Sequence, residues 1–214
     1  MRLYSYFRSS AAFRVRIALN LKGLDYETVP VHLMRHGAEQ LSEAYRHANP
    51  AALVPVLEVA GQFLAQSLAI IEYLDERYPD PALLPADATM RAHARAIALS
   101  IACEIHPLNN LRVLRYLVQE MKASEQSKSQ WYRHWVEQGL QQLEQSLVSR
   151  GFGGPYALGE RVTIADLAIV PQIFNARRFD CNLDGAPTLT AIADRCMKLD
   201  AFALAQPSAQ PDAE

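Results

Sequence analysis

Three prolines fall within ten residues at 78–87 (YPDPALLPAD), and the hydrophobic pattern on one side differs in kind from that on the other. Proline lacks an N–H and clashes with the preceding turn, so regular structure stops here, and chain between packed units commonly has this composition. Before the prolines, strand-like and helix-like segments alternate. RLYSYF reads as a strand, 12–22 as a helix stopped by Gly23, YETVPVHL as a strand whose proline favours an edge or bulge, and 39–47 as a weaker helix. VPVLEV and FLA, joined by a turn at Ala60-Gly61-Gln62, read as a hairpin. QSLAIIEYLDERY reads as a helix, with Leu68, Ile71 and Leu74 beside Ile70 and Tyr73 at helical spacing. After the prolines the helical period dominates, over 90–102, 108–122, 129–149, 164–175 and 186–205. The pattern predicts an α/β unit of order β-α-β-α-β-β-α over 1–80, a linker over 81–87 and an all-α unit over 88–214, the strand order being left open.

Half of the 214 residues are hydrophobic, enough for a core that needs no covalent staples. Cys103, Cys181 and Cys196 are odd in number and widely spaced, which argues against a disulfide framework and fits a reducing cytoplasm. Twenty-one basic residues stand against 23 acidic ones, so no field favours nucleic acid or an anionic membrane, and a small-molecule or protein partner is expected. No run approaches the roughly 20 apolar residues of a membrane span, and the short N-terminal apolar segment is interrupted by arginines, unlike a targeting signal. His32, His36, His47, His93 and His134 lack the spacing of a shared metal site, so no metal is expected. Cys103 is expected to be a buried packing thiol, Trp131 and Trp135 packing residues, and Arg14 and Arg16 ion-paired scaffolding. Thr163-Ile-Ala-Asp166 has the form of a capping box worth about 1 kcal/mol. The glycines of 151–154 follow a helix and run into Pro155, which reads as a turn rather than a phosphate loop.

The stretch YFRSSAAFRVR places Ser9 and Ser10 at a strand-to-helix junction. A helix start offers unpaired N–H groups and the positive end of a dipole, and the serines add hydroxyls. Such a place stabilises an anion, and for a thiol it favours the reactive thiolate. A depression of about two units from a free-thiol pKa near 8.5 makes the thiolate the major species at pH 7. No cysteine of the chain lies near, so a thiol would come from outside. From these residues alone, Ser9 or Ser10 reads first as a plain helix cap.

Together with HANP, LVPVLEV, QSLAIIEYLDERYPDPALLP, IHPLNNLRVL, TIADLAIVPQIFNARRF and QPSAQPD, the opening YSYFRSSAAFRVRIALNLKGLDYETVPVHL resembles the zeta class of glutathione transferases, the family of the maleylacetoacetate and maleylpyruvate isomerases. The likeness spans essentially the whole chain. It implies a thioredoxin-like first unit, a helical second unit, a homodimer and glutathione as cofactor. It also implies that Ser9, with Ser10 beside it, donates to the thiolate, and that Gln66 and Ser67 hold the γ-glutamyl end, in keeping with a carboxylate at a helix start. Val54 is implied to pair its backbone with the tripeptide, Pro55 to be cis, and Gln40, His106, Asn110, Leu111 and Arg112 to make further glutathione contacts. The family usually writes Ser-Ser-Cys where this chain has Ser9-Ser10-Ala11, which puts cysteine-dependent behaviour such as inactivation by haloacids in question. Phe13 keeps the family's aromatic.

The activity implied is cis–trans isomerisation of a maleyl keto acid in aromatic compound catabolism. Thiolate addition makes the double bond single, rotation follows, and elimination regenerates glutathione. The transient enolate and the two acidic ends of the substrate call for cationic donors already in place, and arginine meets a carboxylate with two parallel bonds. Arg8 is implied at the mouth of the site and Arg178 over the substrate. Arg112 resembles the maleylpyruvate branch, where the maleylacetoacetate branch commonly has a small polar residue, and His106 points the same way. Without the resemblance each arginine reads as a solvated surface charge or ion pair. Two further readings stay open: a general glutathione transferase acting on electrophiles or α-haloacids, and a non-catalytic glutathione-binding protein. Retention of Ser9, Ser10, Gln66 and Ser67 together speaks against the second.

Overall fold

A computed structural model describes residues 1–35 and 37–214; His36, one of the histidines read above as lacking metal spacing, lies outside the described residues. In chain order the elements are β1 (Arg2–Ser5), α1 (Ser10–Leu21), β2 (Glu27–Pro30), a 3₁₀ turn (Glu39–Leu41), α2 (Glu43–Ala48), β3 (Val56–Val59), β4 (Gln62–Ala65) and α3 (Ser67–Arg77). Then come α4 (Ala88–Leu99), a π-helical segment (Ser100–Ile105), a 3₁₀ turn (His106–Asn109), α5 (Leu111–Gln119), α6 (Glu125–Val148), α7 (Ile164–Arg178), α8 (Pro187–Cys196) and α9 (Asp200–Ala203). Two compact units emerge: Met1–Leu83 with Lys198–Glu214, and Leu84–Met197. The segment after Met197, which the helical pattern assigns to the all-α unit, packs with the α/β unit.

In the first unit the strands form one sheet of order β2-β1-β3-β4. β1 runs parallel to β2 and antiparallel to β3, which pairs antiparallel with β4. Successive strand side chains point to opposite faces. On β1, Leu3 and Ser5 are buried while Tyr4 is half-buried in a second cluster with Val31, Tyr45, Val54, Val56 and Phe63. Helices α1 and α3 pack on each other and bury Phe13, Val15, Ile17 and Leu19 with Ile70, Ile71 and Leu74. The hairpin turn places Ala60 (φ 49°) and Gly61 (φ 76°) in the left-handed region, the geometry that follows strand twist. The weak helix expected over 39–47 divides at Ser42, whose hydroxyl accepts from the Tyr45 N–H at 3.2 Å and starts α2 afresh.

Lys22 supplies an anchor that periodicity does not reveal. Its side chain is fully buried, and Nζ donates to Asp75 Oδ1 (2.8 Å) and to the carbonyls of Tyr78 (2.6 Å) and Pro81 (2.8 Å). Asp75 Oδ1 also accepts from the Leu83 N–H at 2.8 Å, so this one ion pair holds the start of the proline-rich stretch to α1 and α3.

In the helical unit α7 is buried on nearly every side, as a helix apolar all round must be. Its start is the expected capping box: the Thr163 N–H donates to Asp166 Oδ2 at 2.8 Å while the Thr163 hydroxyl accepts from the Ala165 N–H at 3.3 Å. Asp166 Oδ1 also accepts from the Ala157 N–H at 2.8 Å, tying the loop after α6 to the same carboxylate. The glycines of 151–154 do form turns, Gly151 and Gly153 having φ of 72° and 96°. Glu144 of α6 accepts from the Thr188 and Leu189 N–H groups (2.9 and 3.0 Å) and caps α8, whose own N-cap residue, Ala186, has no side chain to do so. Trp131 and Trp135 meet edge to face at 5.7 Å, and the Trp131 indole donates to the Leu108 carbonyl at 2.7 Å. Cys103 departs from the expectation of a buried thiol and is exposed. It lies in the π-helical segment midway between Ile101 and Ile105, which continue the buried face of Ala94, Ile97 and Ala98, so Cys103 falls on the opposite side. Among the described residues no helix is long and apolar enough to cross a membrane.

Candidate active site

The sheet register brings the chain stretches that carry Ser9, Val54, Pro55, Gln66 and Ser67 to one end of the sheet. Tyr4 pairs with Val56, and Val56 pairs with Ala65. The loop leaving β1 toward Ser9, the Val54–Pro55 entry to β3 and the Gln66–Ser67 start of α3 therefore share one edge. Arg14 of α1 links the two helix starts from beneath: it is buried, and its Nη1 donates to the Ser67 hydroxyl at 3.3 Å.

Ser9 is the N-cap of α1, its Oγ accepting from the Ala12 N–H at 3.2 Å, whereas Ser10 is buried in the first turn. The cap that Ser9 forms is compatible with the second reading, a donor to an anion. A hydroxyl has two acceptor lone pairs and one proton, so a capping oxygen still has an O–H to give to an anion at the helix start. Arg8 is exposed, with its guanidinium carbon 4.7 Å from the Phe7 ring centroid.

Gln66 has φ 72° and ψ 114°, a conformation rare outside glycine, and α3 begins behind it without a side-chain cap. An uncapped first turn leaves amides and the positive dipole end for a carboxylate. The Val54–Pro55 peptide bond is cis. The loop before it is held at the Leu53 carbonyl, which accepts from the Tyr45 hydroxyl (2.7 Å) and from Asn49 Nδ2 (2.8 Å). The HANP stretch thereby acquires a physical role. Asn49 Oδ1 also accepts from the Ala51 N–H at 3.1 Å, so one amide side chain shapes the whole approach to Val54. Gln40, in the 3₁₀ turn, is buried, and its Oε1 has no hydrogen-bond partner among the described residues. A buried acceptor of this kind calls for an outside donor. The hydroxyl at α1, the uncapped start of α3 and the Gln40 carbonyl oxygen each offer a kind of group that an anionic, amide-rich thiol such as glutathione would engage.

In the helical unit, His106 opens the 3₁₀ turn and Asn110 is the N-cap of α5, its Oδ1 accepting from the Arg112 N–H at 3.1 Å. Leu111 and Arg112 begin α5, Arg112 being exposed. Arg178 ends α7, also exposed, with its guanidinium carbon 5.1 Å from the Phe179 ring centroid. Phe179 in turn stacks on Tyr132 at 4.0 Å. No group of three or more His, Cys, Asp or Glu suited to a metal ion occurs among the described residues.

Sequence reasoning missed the support beneath this edge. Arg14 and Arg16, read as ion-paired scaffolding, are both buried. Arg16 donates to the carbonyls of Ala205 (2.9 Å) and Phe7 (3.0 Å) and to the Ser5 hydroxyl (3.0 Å). Burial pushes its guanidinium down to about 10, partly opposed by Tyr26 and Asp212.

Models of the glutathione S-transferase N-terminal and C-terminal domains match residues 3–82 and 112–200. The chain belongs to the glutathione S-transferase family, in its zeta class. It is 50% identical to a Vibrio cholerae protein named probable maleylacetoacetate isomerase, over 99% of this chain and 97% of that one. The holo structure of a maleylpyruvate isomerase, described as a bacterial zeta-class glutathione S-transferase, superposes with a TM-score of 0.96 at 45% identity, covering 100% of both chains. A maleylacetoacetate isomerase from Anaeromyxobacter dehalogenans, with glutathione bound in its active site, superposes with a TM-score of 0.87 at 42% identity, over 100% of this chain and 97% of that one.

Proposed function

We propose that this protein is a glutathione-dependent cis–trans isomerase of a maleyl keto acid, either maleylacetoacetate or maleylpyruvate, acting in aromatic compound catabolism. The observation that carries the reading is the sheet edge where the Ser9 hydroxyl, the Val54–Pro55 turn and the uncapped start of α3 come together in a unit that contains no cysteine. Bound glutathione supplies the thiolate that adds to the alkene, allows rotation and leaves again unchanged.

The chain's own residues do the rest. Ser9 donates to the sulfur, with Ser10 beside it. The first-turn amides of α3, with Gln66 and Ser67, hold the γ-glutamyl carboxylate, and the Val54 backbone aligns the peptide. Gln40, His106, Asn110, Leu111 and Arg112 are assigned further glutathione contacts. Arg8, Arg178 and Arg112 are assigned the acidic ends and the developing enolate of the substrate, because a guanidinium stays charged and binds carboxylates in a fork. A homodimer is part of the reading, carried from the family resemblance. A cytoplasmic location is supported by three free cysteines.

The test is steady-state isomerisation of both maleyl acids, with and without glutathione, while total free thiol is followed. Turnover with the thiol pool intact is expected. Consumption of one thiol per turnover would instead establish a general transferase. Arg112→Ser is expected to lower kcat/KM for maleylpyruvate about tenfold more than for maleylacetoacetate, the scale of one lost charge-assisted contact. Equal losses on both substrates would remove Arg112 as the discriminating residue.

A further inference from the structure

Resting on the assignment of Ser9 and Arg8 to the reaction, we propose that Asp212, acting with Arg16, is a positioning residue that clamps the loop between β1 and α1 and so sets where the Ser9 hydroxyl and the Arg8 guanidinium stand. The loop is short. Its backbone makes one internal turn, Ser9 N–H to the Tyr6 carbonyl at 2.9 Å. Its middle residue is held from far along the chain. Asp212 Oδ2 accepts from the Phe7 N–H at 3.1 Å, across 205 positions of sequence, and Arg16 Nη2 donates to the Phe7 carbonyl at 3.0 Å. Both polar groups of Phe7 are therefore held by charged side chains, at a residue only 3% exposed.

The clamp continues into the returning segment. Arg16 Nε donates to the Ala205 carbonyl, Asn20 Nδ2 donates to the Ala201 carbonyl at 2.9 Å, and α9 packs on α1. Gln210 turns the chain back on itself by donating to the carbonyls of Leu204 (2.9 Å) and Gln206 (3.0 Å), which aims Asp212 at the loop. Beyond it, Glu214 pairs with His32 at 2.9 Å and Arg35 at 2.7 Å. Phe7 carries the Arg8 guanidinium on its ring, and Ser9 lies two residues on, so freeing the Phe7 amide moves both groups together.

The test compares Asp212→Ala and Asp212→Asn with wild type by three readouts. In ligand-free protein, amide exchange across residues 6–10 is expected to quicken about tenfold in Asp212→Ala. With glutathione bound, the thiolate absorbance midpoint is expected to rise by about half a unit. kcat is expected to fall about tenfold with KM for glutathione within about twofold, since small displacements of positioned groups weigh on the chemical step. Asp212→Asn keeps an acceptor for the Phe7 N–H and is expected to move all three in the same direction by less; it decides the matter alone should the alanine variant not fold. Unchanged exchange and an unchanged thiolate midpoint, whatever happens to stability, would overturn the proposal. Should wild type bind glutathione yet turn over neither maleyl acid, the isomerase reading fails while exchange and thiolate titration still decide the clamp.

Discussion

Ser9→Ala is expected to lower kcat by about 10²–10³, the usual effect of deleting one preorganised donor to a developing or resident anion. The same change is expected to move the thiol of bound glutathione up by about one to two units, toward the free-thiol range. Stability should fall only modestly. The Oγ that accepts from the Ala12 N–H is the N-cap of α1, and loss of such a cap costs about 1 kcal/mol. Ser9→Thr retains both an acceptor for the amide and an O–H for the sulfur, so it should recover most of the activity. Thiolate absorbance titration, run beside steady-state kinetics, separates the two roles. A variant with its titration midpoint and kcat intact would leave Ser9 as a cap alone and pass the sulfur to Ser10 and the first-turn amides.

Asp166→Ala is expected to carry the largest cost in stability, about 3–5 kcal/mol at pH 7, because two buried backbone N–H groups at about 1–3 kcal/mol each lose their acceptor and the helix loses its cap. Those groups are the amides of Ala157 and Thr163, and the Thr163 hydroxyl, 3.2 Å from Oδ2, loses the same partner. Set against a total stability of about 5–15 kcal/mol, this is a third or more of the whole. Burial pushes the Asp166 carboxyl up to about 6, with the hydrogen bonds from Ala157 and Thr163 opposing it. The folded state therefore holds the proton more tightly than the unfolded chain, where the group titrates near 3.9. Its contribution is complete below about pH 4 and declines as pH rises to about 6, by up to ~3 kcal/mol, then stays level. Urea unfolding of wild type and variant from pH 4 to 7 should show the gap narrowing over that window. A gap that widened with pH would mean that the hydrogen bonds to the carboxylate outweigh its burial.

Much of the fold is legible in the sequence because it is local. Thr163 and Asp166 stand three apart at a helix start, the spacing a capping box requires, and the box forms. Ala60-Gly61 marks the hairpin, and alternation against helical period separates the α/β from the helical pattern. The boundary expected of the all-α unit is less legible, because the residues of α9 have a helix period whichever unit they pack against. Cys103 shows the reverse: Ile97, Ile101 and Ile105 stand four apart and leave it on the outer face, and the expectation of burial comes from the residue type rather than from its place in the period.

For the site, the residues proposed to meet glutathione can be matched from motif, but their supports cannot. Nothing adjacent to Leu53 announces that Tyr45 and Asn49 hold its carbonyl, and nothing near Phe7 points to Arg16 or Asp212. Nor does α8 disclose that its cap is Glu144 of another helix.

By itself, then, the sequence determined the division at the proline-rich stretch, the kinds of elements on each side and the helix starts fit for an anion, since propensity, capping and periodicity act over a few residues. Tertiary structure alone decided that Ser9, Val54 and Gln66 share one sheet edge and that residues 198–214 return to hold the loop behind it. Contacts across such separations have no repeating signature. They form when burial of the whole core offsets the entropy of closing long loops, and each then depends on every element that packs with it.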